Sequence, residues 1–514
     1  MRLSLNNISL TAVGALTILL SSSSTTALPS GLQDLSFRTS HVPGNSQPHL
    51  QTRAEPASKP YANHRVVRMQ LQTEEELKKL SEAEDQLHLD FFSHKTLGGN
   101  MDVRVPSESF DKFKALGLSY TVLSSDLQQL IDAERDENDK SQQRWQAIKR
   151  SMDGWSEGTD ALFHRRSESP ASIPGADDWF ATYHSYEDHT IWLDAQIKNR
   201  SDIATGFSAG KSYEGREQAG IKIGKGPNNV VLHGLQHARE WISGSVVEYL
   251  IHQLMTGTDA KVAKYLKKYT FHIIPIMNPD GFVMTQNGVR MHRKNAQPNP
   301  GNADASDTSC IGTDRKLTCV YCRRKYTPRL NTVLLTISRF PLCTLVNRNW
   351  DIRWNASTEA DATDACSEVY RGTRAFSAPE TANIGKYLRD TPNVVSYIDF
   401  HAYSQMWLTP HGYAGPPPES YKSYLKPLAA GAVAALKKVY GTKFTYGESY
   451  NTINYETFGA SDDYALSVGV GAPFTVELRD TGNFGFLLPA DQILPSGKEM
   501  WEAFKYILDN LKTK

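Results

Sequence analysis

The sequence predicts two folded parts of different class: an α/β domain whose mixed, largely parallel sheet is flanked by helices, and ahead of it a small ferredoxin-like α+β unit. Three observations carry this. From about Trp179 onward, apolar runs at 230–233, 271–276, 394–400 and 474–478 alternate with helical stretches, and each run gives way to polar residues at its C-terminal end. Between residues 64 and 123 the short segments follow the order strand, helix, strand, strand, helix, strand. A polar stretch and a linker rich in Ser and Pro part the two.

The N-terminus carries one charge, Arg2, then a mostly apolar stretch from 8 to 20 and a Ser/Thr run closing on Thr25-Thr26-Ala27, the pattern of a signal peptide cut near Ala27. Residues 28–60 are rich in Ser, Pro, Gln and His without periodicity and predict a flexible lead-in. A strand over 66–71 follows, then Thr73-Glu74-Glu75-Glu76, a capping box that opens a helix to about 83. Strands over 87–92 and 101–105, a helix over 110–116 and a strand over 120–123 complete the small unit. Residues 126–149 are helical in pattern but crowded with charge, which predicts a solvated connector. Beyond them stand a dibasic pair, Arg165-Arg166, and the exposed linker Ser167-Glu168-Ser169-Pro170-Ala171-Ser172-Ile173-Pro174-Gly175, open to proteolysis. An exported chain with a folded unit ahead of such a linker predicts a zymogen: signal peptide 1–27, propeptide 28–166 and main domain 167–514.

Of the 514 residues 39% are apolar and 22% charged, with 56 Lys and Arg balancing 56 Asp and Glu. A formal charge of zero gives no electrostatic argument for nucleic acid or a membrane surface as partner. Past the leader no segment reaches the roughly 18 consecutive apolar residues of a spanning helix. The mature protein is expected to be a secreted, extracellular monomer. Asn199-Arg200-Ser201 and Asn355-Ala356-Ser357 are glycosylation acceptors that suit export.

Chemistry gathers at the ends of the apolar runs, which in an α/β sheet lie along one edge. The run at 230–233 breaks at Gly234 and leads into His237-Ala238-Arg239-Glu240-Trp241, which reads as the opening of a helix carrying an imidazole and a carboxylate on one face, two ligands for a zinc ion. His401 follows the run 394–400 at once, where a rigid strand would hold a third ligand. Glu477 lies inside the run 474–478, a costly place for a carboxylate that is neither paired nor functional. Two His and a Glu leave a zinc position open for water, and a further Glu beside it can take that water's proton.

Five segments carry a family resemblance: His237 to Trp241, Asn278-Pro279-Asp280-Gly281-Phe282, Asn347-Arg348-Asn349-Trp350, His401-Ala402-Tyr403-Ser404-Gln405 and Glu477-Leu478-Arg479-Asp480-Thr481-Gly482. With the closing Phe484-Gly485-Phe486-Leu487-Leu488-Pro489-Ala490, they stand in the order found in zinc carboxypeptidases of the A/B type. From about residue 60 to its end the chain resembles that family, in particular secreted zymogens of the fungal metallocarboxypeptidase A-like kind. The resemblance implies one Zn2+ per chain on His237, Glu240 and His401, with Glu477 as general base and then general acid. It implies that Arg293 steadies the oxyanion and that Asn347 and Arg348 clamp the terminal carboxylate of peptide and protein substrates, for which a planar guanidinium is well shaped. Arg239 and Tyr403 are further substrate contacts by the same resemblance, Asp314 orients His237, and the propeptide acts as an intramolecular inhibitor. Tyr455, counted back from Gly459-Ala460-Ser461-Asp462-Asp463-Tyr464, corresponds to the phenol that closes over substrate, although this chain reads Thr452-Ile453-Asn454-Tyr455 where the family has Thr-Ile-Tyr. Asp462 falls at the pocket-floor position that is acidic in B-type enzymes, which implies preference for C-terminal Lys or Arg. Preference for apolar C-terminal residues, the A-type behaviour, is the alternative.

One stretch departs from that pattern. Between Cys310-Ile311-Gly312-Thr313-Asp314 and Val346-Asn347-Arg348 the family runs on almost directly, whereas here residues 315–345 intervene, with seven of the basic residues, no acidic one and three of the five cysteines. Their removal leaves Cys310 and Cys366 as one disulfide pair, which suits a secreted enzyme. The stretch is expected to be a retained intron or gene-model error. If it is genuine, it parts Asp314 from Asn347 and Arg348, and a catalytically impaired secreted binding protein becomes the competing expectation. A zinc amidohydrolase acting on small acyl-amino acids uses the same metal set but has no need of the propeptide or of Asn347, Arg348 and Tyr455.

Overall fold

A computed structural model describes residues 59–93, 95–151, 176–297, 343–365 and 367–513. The expected leader, the dibasic pair, Cys310, Asp314, Cys366 and residues 315–342 lie outside the described residues.

The small unit contains β1 (Arg65–Met69), α1 (Glu74–Leu87), β2 (Asp90–Phe91), β3 (Met101–Val105), α2 (Phe110–Ala115) and β4 (Thr121–Ser124). Its antiparallel sheet has the order β2-β3-β1-β4, the ferredoxin-like arrangement that the sequence predicts. The capping box is present in both directions. Glu76 N donates to Thr73 Oγ1 and Thr73 N to Glu76 Oε2, each at 3.2 Å. α1 runs four residues past its expected end, and His88 with φ 53° stops it; β2 is correspondingly shorter than the predicted strand over 87–92. One face of the sheet is apolar: Val67, Met69, Met101, Val103 and Val105 pack on Leu80 and Phe113. The other face presents Asp90, Asp102 and Arg104, buried against the main domain, with the part-buried Arg68 beside them.

α3 (Leu127–Ser151) is exposed or half-buried at most of its described positions, as a solvated connector is, but one of its stripes docks on the main domain. Glu134, Asn138 and Gln142 recur every four residues and so share one helical stripe. Both Glu134 oxygens pair with the Arg290 guanidinium at 2.6 and 2.9 Å, Asn138 Oδ1 accepts from Thr182 Oγ1 at 3.2 Å, and Gln142 Nε2 donates to the Tyr183 carbonyl at 3.2 Å. A composition crowded with charge concealed a polar docking stripe.

The main domain continues with α4 (Ala176–Trp179), α5 (Tyr186–Asn199), β5 (Ala204–Lys211), β6 (Glu217–Ile223), β7 (Asn228–His233), α6 (Trp241–Thr256) and α7 (Val262–Lys268). Next come β8 (Tyr269–Ile274), α8 (Pro279–Gln286), α9 (Pro379–Asp390), β9 (Val394–His401), β10 (Met406–Thr409) and α10 (Lys426–Tyr440). β11 (Thr445–Glu448), α11 (Ser449–Ile453), α12 (Ser461–Ser467), β12 (Ala472–Glu477) and α13 (Ile493–Asn510) complete it. The eight-stranded sheet has the order β11-β10-β12-β9-β7-β8-β6-β5, with β12, β9, β7 and β8 parallel at its centre.

The central strands are apolar on both faces, as helices on both sides require. Val230 and Leu232 of β7 with Ile398 and Phe400 of β9 pack towards α6, α10 and α13. Val231 and Tyr397 on the reverse meet Ile384 and Leu388 of α9 and Tyr464 of α12. Burial of each such Val, Leu or Phe is worth about 1.5–3 kcal/mol, so strand positions, and the residues at their ends, are firmly set. From β7 the chain turns one way to β8 and later returns on the other side as β9, which makes the β7/β9 boundary a switch point where the carboxyl ends open a crevice.

Candidate active site

β7 ends at His233, and the next residues do not begin a helix. A Cβ on Gly234 would lie 2.7 Å from the Ser243 carbonyl oxygen, so only glycine allows the chain to pass this close to α6. Met277 N and Asn278 N donate to the Gly234 and Leu235 carbonyls at 3.0 and 3.1 Å, and Ala238 N to that of Arg293 at 3.1 Å. These bonds hold 234–240 as a turn. α6 starts at Trp241 with Glu240 as its N-cap, so His237 and Glu240 are brought together by a turn rather than by the helical face that the sequence predicted. Glu240 does not cap with its side chain. Its carboxylate accepts from Ala402 N at 3.2 Å and lies 3.1 Å from His401 Nδ1.

The donor atoms of His237, Glu240 and His401 all lie within 4.8 Å of one another, in the one group among the described residues able to hold a metal. All three residues are buried, and His237 Nδ1 has no partner in the protein. Two imidazoles and a carboxylate around an orphaned nitrogen fit a zinc ion with one position to spare. Burial, and then Arg293, hold the His237 imidazole far below its usual pKa, in the neutral form that binds metal. For His401 burial also disfavours charge, but the Asp399 and Glu240 carboxylates outweigh it and push its pKa well up. The same negative surroundings favour a bound cation.

Glu477 ends β12 in register with His401 on the neighbouring parallel strand. Burial pushes its carboxyl up to about 8, with His401 opposing and Glu240 adding to the shift. Arg293 Nη2 lies 2.9 Å from His237 Nε2 and its Nη1 donates to Glu240 Oε1 at 3.3 Å, so its guanidinium borders the trio. Asn278 explains the motif around it: its amide donates to the Gln236 and Lys294 carbonyls at 3.3 and 3.0 Å and ties the two loops together.

The remaining candidates fall into three places. Asn347 and Arg348 form a single helical turn, where the Asn347 amide nitrogen is 3.4 Å from His401 Nε2 and its oxygen accepts from Ser461 N at 3.0 Å. Gly459, with φ 66°, packs so closely that a Cβ would meet the Arg348 carbonyl at 2.5 Å. Tyr455 lines one small cavity with Arg348 and Glu359, and its hydroxyl donates to Glu359 at 3.4 Å. Asp462, buried in the first turn of α12, has one carboxylate oxygen without a partner; burial and then Asp399 push it up to about 6. Arg239 and Tyr403 are engaged by the small unit. Arg239 is 3.3 Å from Asp90 and lies over the rings of Phe92 and Phe486, while the Tyr403 hydroxyl donates to Asp102 at 2.8 Å. Asn199 is half-buried at the end of α5, and Asn355 is exposed.

Two points depart from the sequence reading. Cys343, Thr344 and Leu345, the last of the intervening stretch, are buried, and Thr344 exchanges bonds with Asn295 at 2.9 and 3.1 Å. These three residues therefore pack as part of the domain. Asp399, with Gln236 and Ser461 on its carboxylate, escaped the sequence reading although it is also a carboxylate inside an apolar strand, the signal that singled out Glu477.

Residues 189–503 match the family model described as zinc carboxypeptidase, and residues 67–134 match the carboxypeptidase activation peptide. The chain belongs to the zinc carboxypeptidase family. The carboxypeptidase is 38% identical over 348 residues to a metallocarboxypeptidase A-like protein of Trichophyton verrucosum, covering 66% of this chain and 72% of that one. It is 34% identical to carboxypeptidase B of Astacus astacus, over 65% of this chain and 98% of that protein. Carboxypeptidase A from Helicoverpa armigera shares the fold, with a TM-score of 0.66 at 24% identity over 88% of this chain and 98% of that one. Relatives of both A and B type thus stand beside this carboxypeptidase, and its activation peptide belongs to an inhibited precursor.

Proposed function

We propose that this carboxypeptidase is a secreted zymogen which, once its propeptide is cut near Arg165-Arg166, removes C-terminal Lys and Arg from peptides and proteins. The observation that carries the preference is Asp462, a buried carboxylate with an unpartnered oxygen in the turn of α12 adjoining Ser461, which bonds Asn347. Bound zinc supplies Lewis acidity for the scissile carbonyl and for water. Asn347 and Arg348 take the substrate's terminal carboxylate, and Tyr455, on the same cavity as Arg348, closes over it. Glu477, beside His401, takes a proton from the attacking water and returns it to the leaving amine. Arg293 faces the oxygen on which negative charge develops.

Export is supported by the N-terminal pattern, and among the described residues no helix is long and apolar enough to cross a membrane. Cys310 and Cys366 form the disulfide, Asn199 and the exposed Asn355 take glycans, and Asp314 orients His237. Residues 315–345 are a retained intron or gene-model error, against which the burial of Cys343, Thr344 and Leu345 counts; an uninterrupted transcript encoding them would refute an intron origin. The functional test is release of the last residue from matched peptides ending in Lys, Arg, Phe and Leu by the processed protein, with and without chelator. Faster release of Lys and Arg, abolished by chelator, is expected. Faster release of Phe or Leu overturns the preference, and release unaffected by chelator overturns the metal chemistry.

A further inference from the structure

We propose that Asp399 is a positioning residue that presents His401 to the metal and ties that ligand to the substrate clamp. The inference rests on the reading of His401 as a zinc ligand. Asp399 and His401 are two apart on β9 and so face the same side of the sheet, and both are buried. Asp399 Oδ2 lies 2.8 Å from His401 Nε2. The same oxygen accepts from Ser461 Oγ at 2.6 Å and Gln236 Nε2 at 2.9 Å, while Oδ1 is 3.2 Å from His233 Nδ1, whose other nitrogen meets the Tyr397 hydroxyl. A wholly buried carboxylate costs several kcal/mol unless donors surround it, and here donors from the His237 turn, α12 and β9 converge on Oδ2.

The convergence has a direction. With Nε2 turned to Asp399, the Nδ1 lone pair of His401 faces Glu240 and the orphaned His237 nitrogen. Ser461 hydrogen-bonds Asp399 through its hydroxyl and Asn347 through its backbone N–H, so the metal ligand and the clamp share a support. The Asn347 amide, 3.4 Å from the same His401 nitrogen, is the weaker neighbour. A carboxylate behind a ligating imidazole fixes its tautomer and ring orientation, and its loss lowers metal affinity by about 10–100-fold.

The test is zinc binding by the full chain in competition with a chelator. Wild type is expected to bind one zinc, and Asp399→Asn to bind it about 10–100-fold more weakly. Equal affinity overturns the inference alone; a wild type that binds no zinc overturns the zinc reading beneath it. Nitrogen-15 NMR of the zinc-loaded wild type needs no variant and decides the matter if Asp399→Asn does not fold. Protonated Nε2 with zinc on Nδ1 of His401 is expected, and zinc on Nε2 overturns the proposal.

Discussion

The carboxyl ends of β7 and β9 lie side by side, and each delivers one histidine of the metal trio, but they deliver it differently. His401 is the last residue of β9 itself, with a carboxylate 2.8 Å behind it. His237 stands four residues past β7 in a turn, and the group 2.9 Å from its Nε2 is the Arg293 cation. One ligand is thus held by a strand and an anion, the other by a glycine-dependent turn and a cation. The pairing separates the charges: the β9 side surrounds its histidine with carboxylates that favour a metal, while the β7 side sets a cation beside its own.

Four predictions follow from that division, from the largest effect to the smallest. Replacement of Glu477 by Gln, on the strand next to β9, should lower kcat by about 10²–10⁴-fold with zinc stoichiometry unchanged, as metal analysis beside steady-state kinetics would show. Arg293→Gln should lower kcat by about 10²–10³-fold while zinc is held as tightly or more so, because a cation beside His237 is removed; a loss of zinc would erase the contrast between the two histidines. Asp462 should confer cation preference only when ionised. Its pKa of about 6 is raised, so the preference is present above that pH and fades below it: KM for Lys-ending peptides should rise as pH falls through 6, while KM for Leu-ending ones should not follow. The smallest effect concerns the propeptide. Tyr403→Phe removes a bond to the Asp102 carboxylate, worth about 1.5–3 kcal/mol, and should weaken inhibition by added propeptide about tenfold or more.

The same two strand ends show what a sequence discloses. β9 and β12 were legible because an ionisable residue within or just after a buried apolar run has few reasons to be there, and His401 and Glu477 met that test. Asp399 met it as well, but its meaning depends on Gln236 and Ser461, which come from distant segments, and periodicity does not report such contacts. His237 and Glu240 were found through their spacing, yet their geometry was misread, since the close passage of Gly234 along α6 is a tertiary constraint that overrides a helical pattern. In α3 the stripe of Glu134, Asn138 and Gln142 was hidden by its polarity, and only the facing Arg290 and Tyr183 reveal it.

The most direct measurement of the central claim is an anomalous-difference map at the zinc edge from crystals of the zinc-loaded protein. The account predicts a single peak about 2.0–2.2 Å from His237 Nδ1, His401 Nδ1 and a Glu240 oxygen. A peak at any other residues, or none between these three, would contradict it.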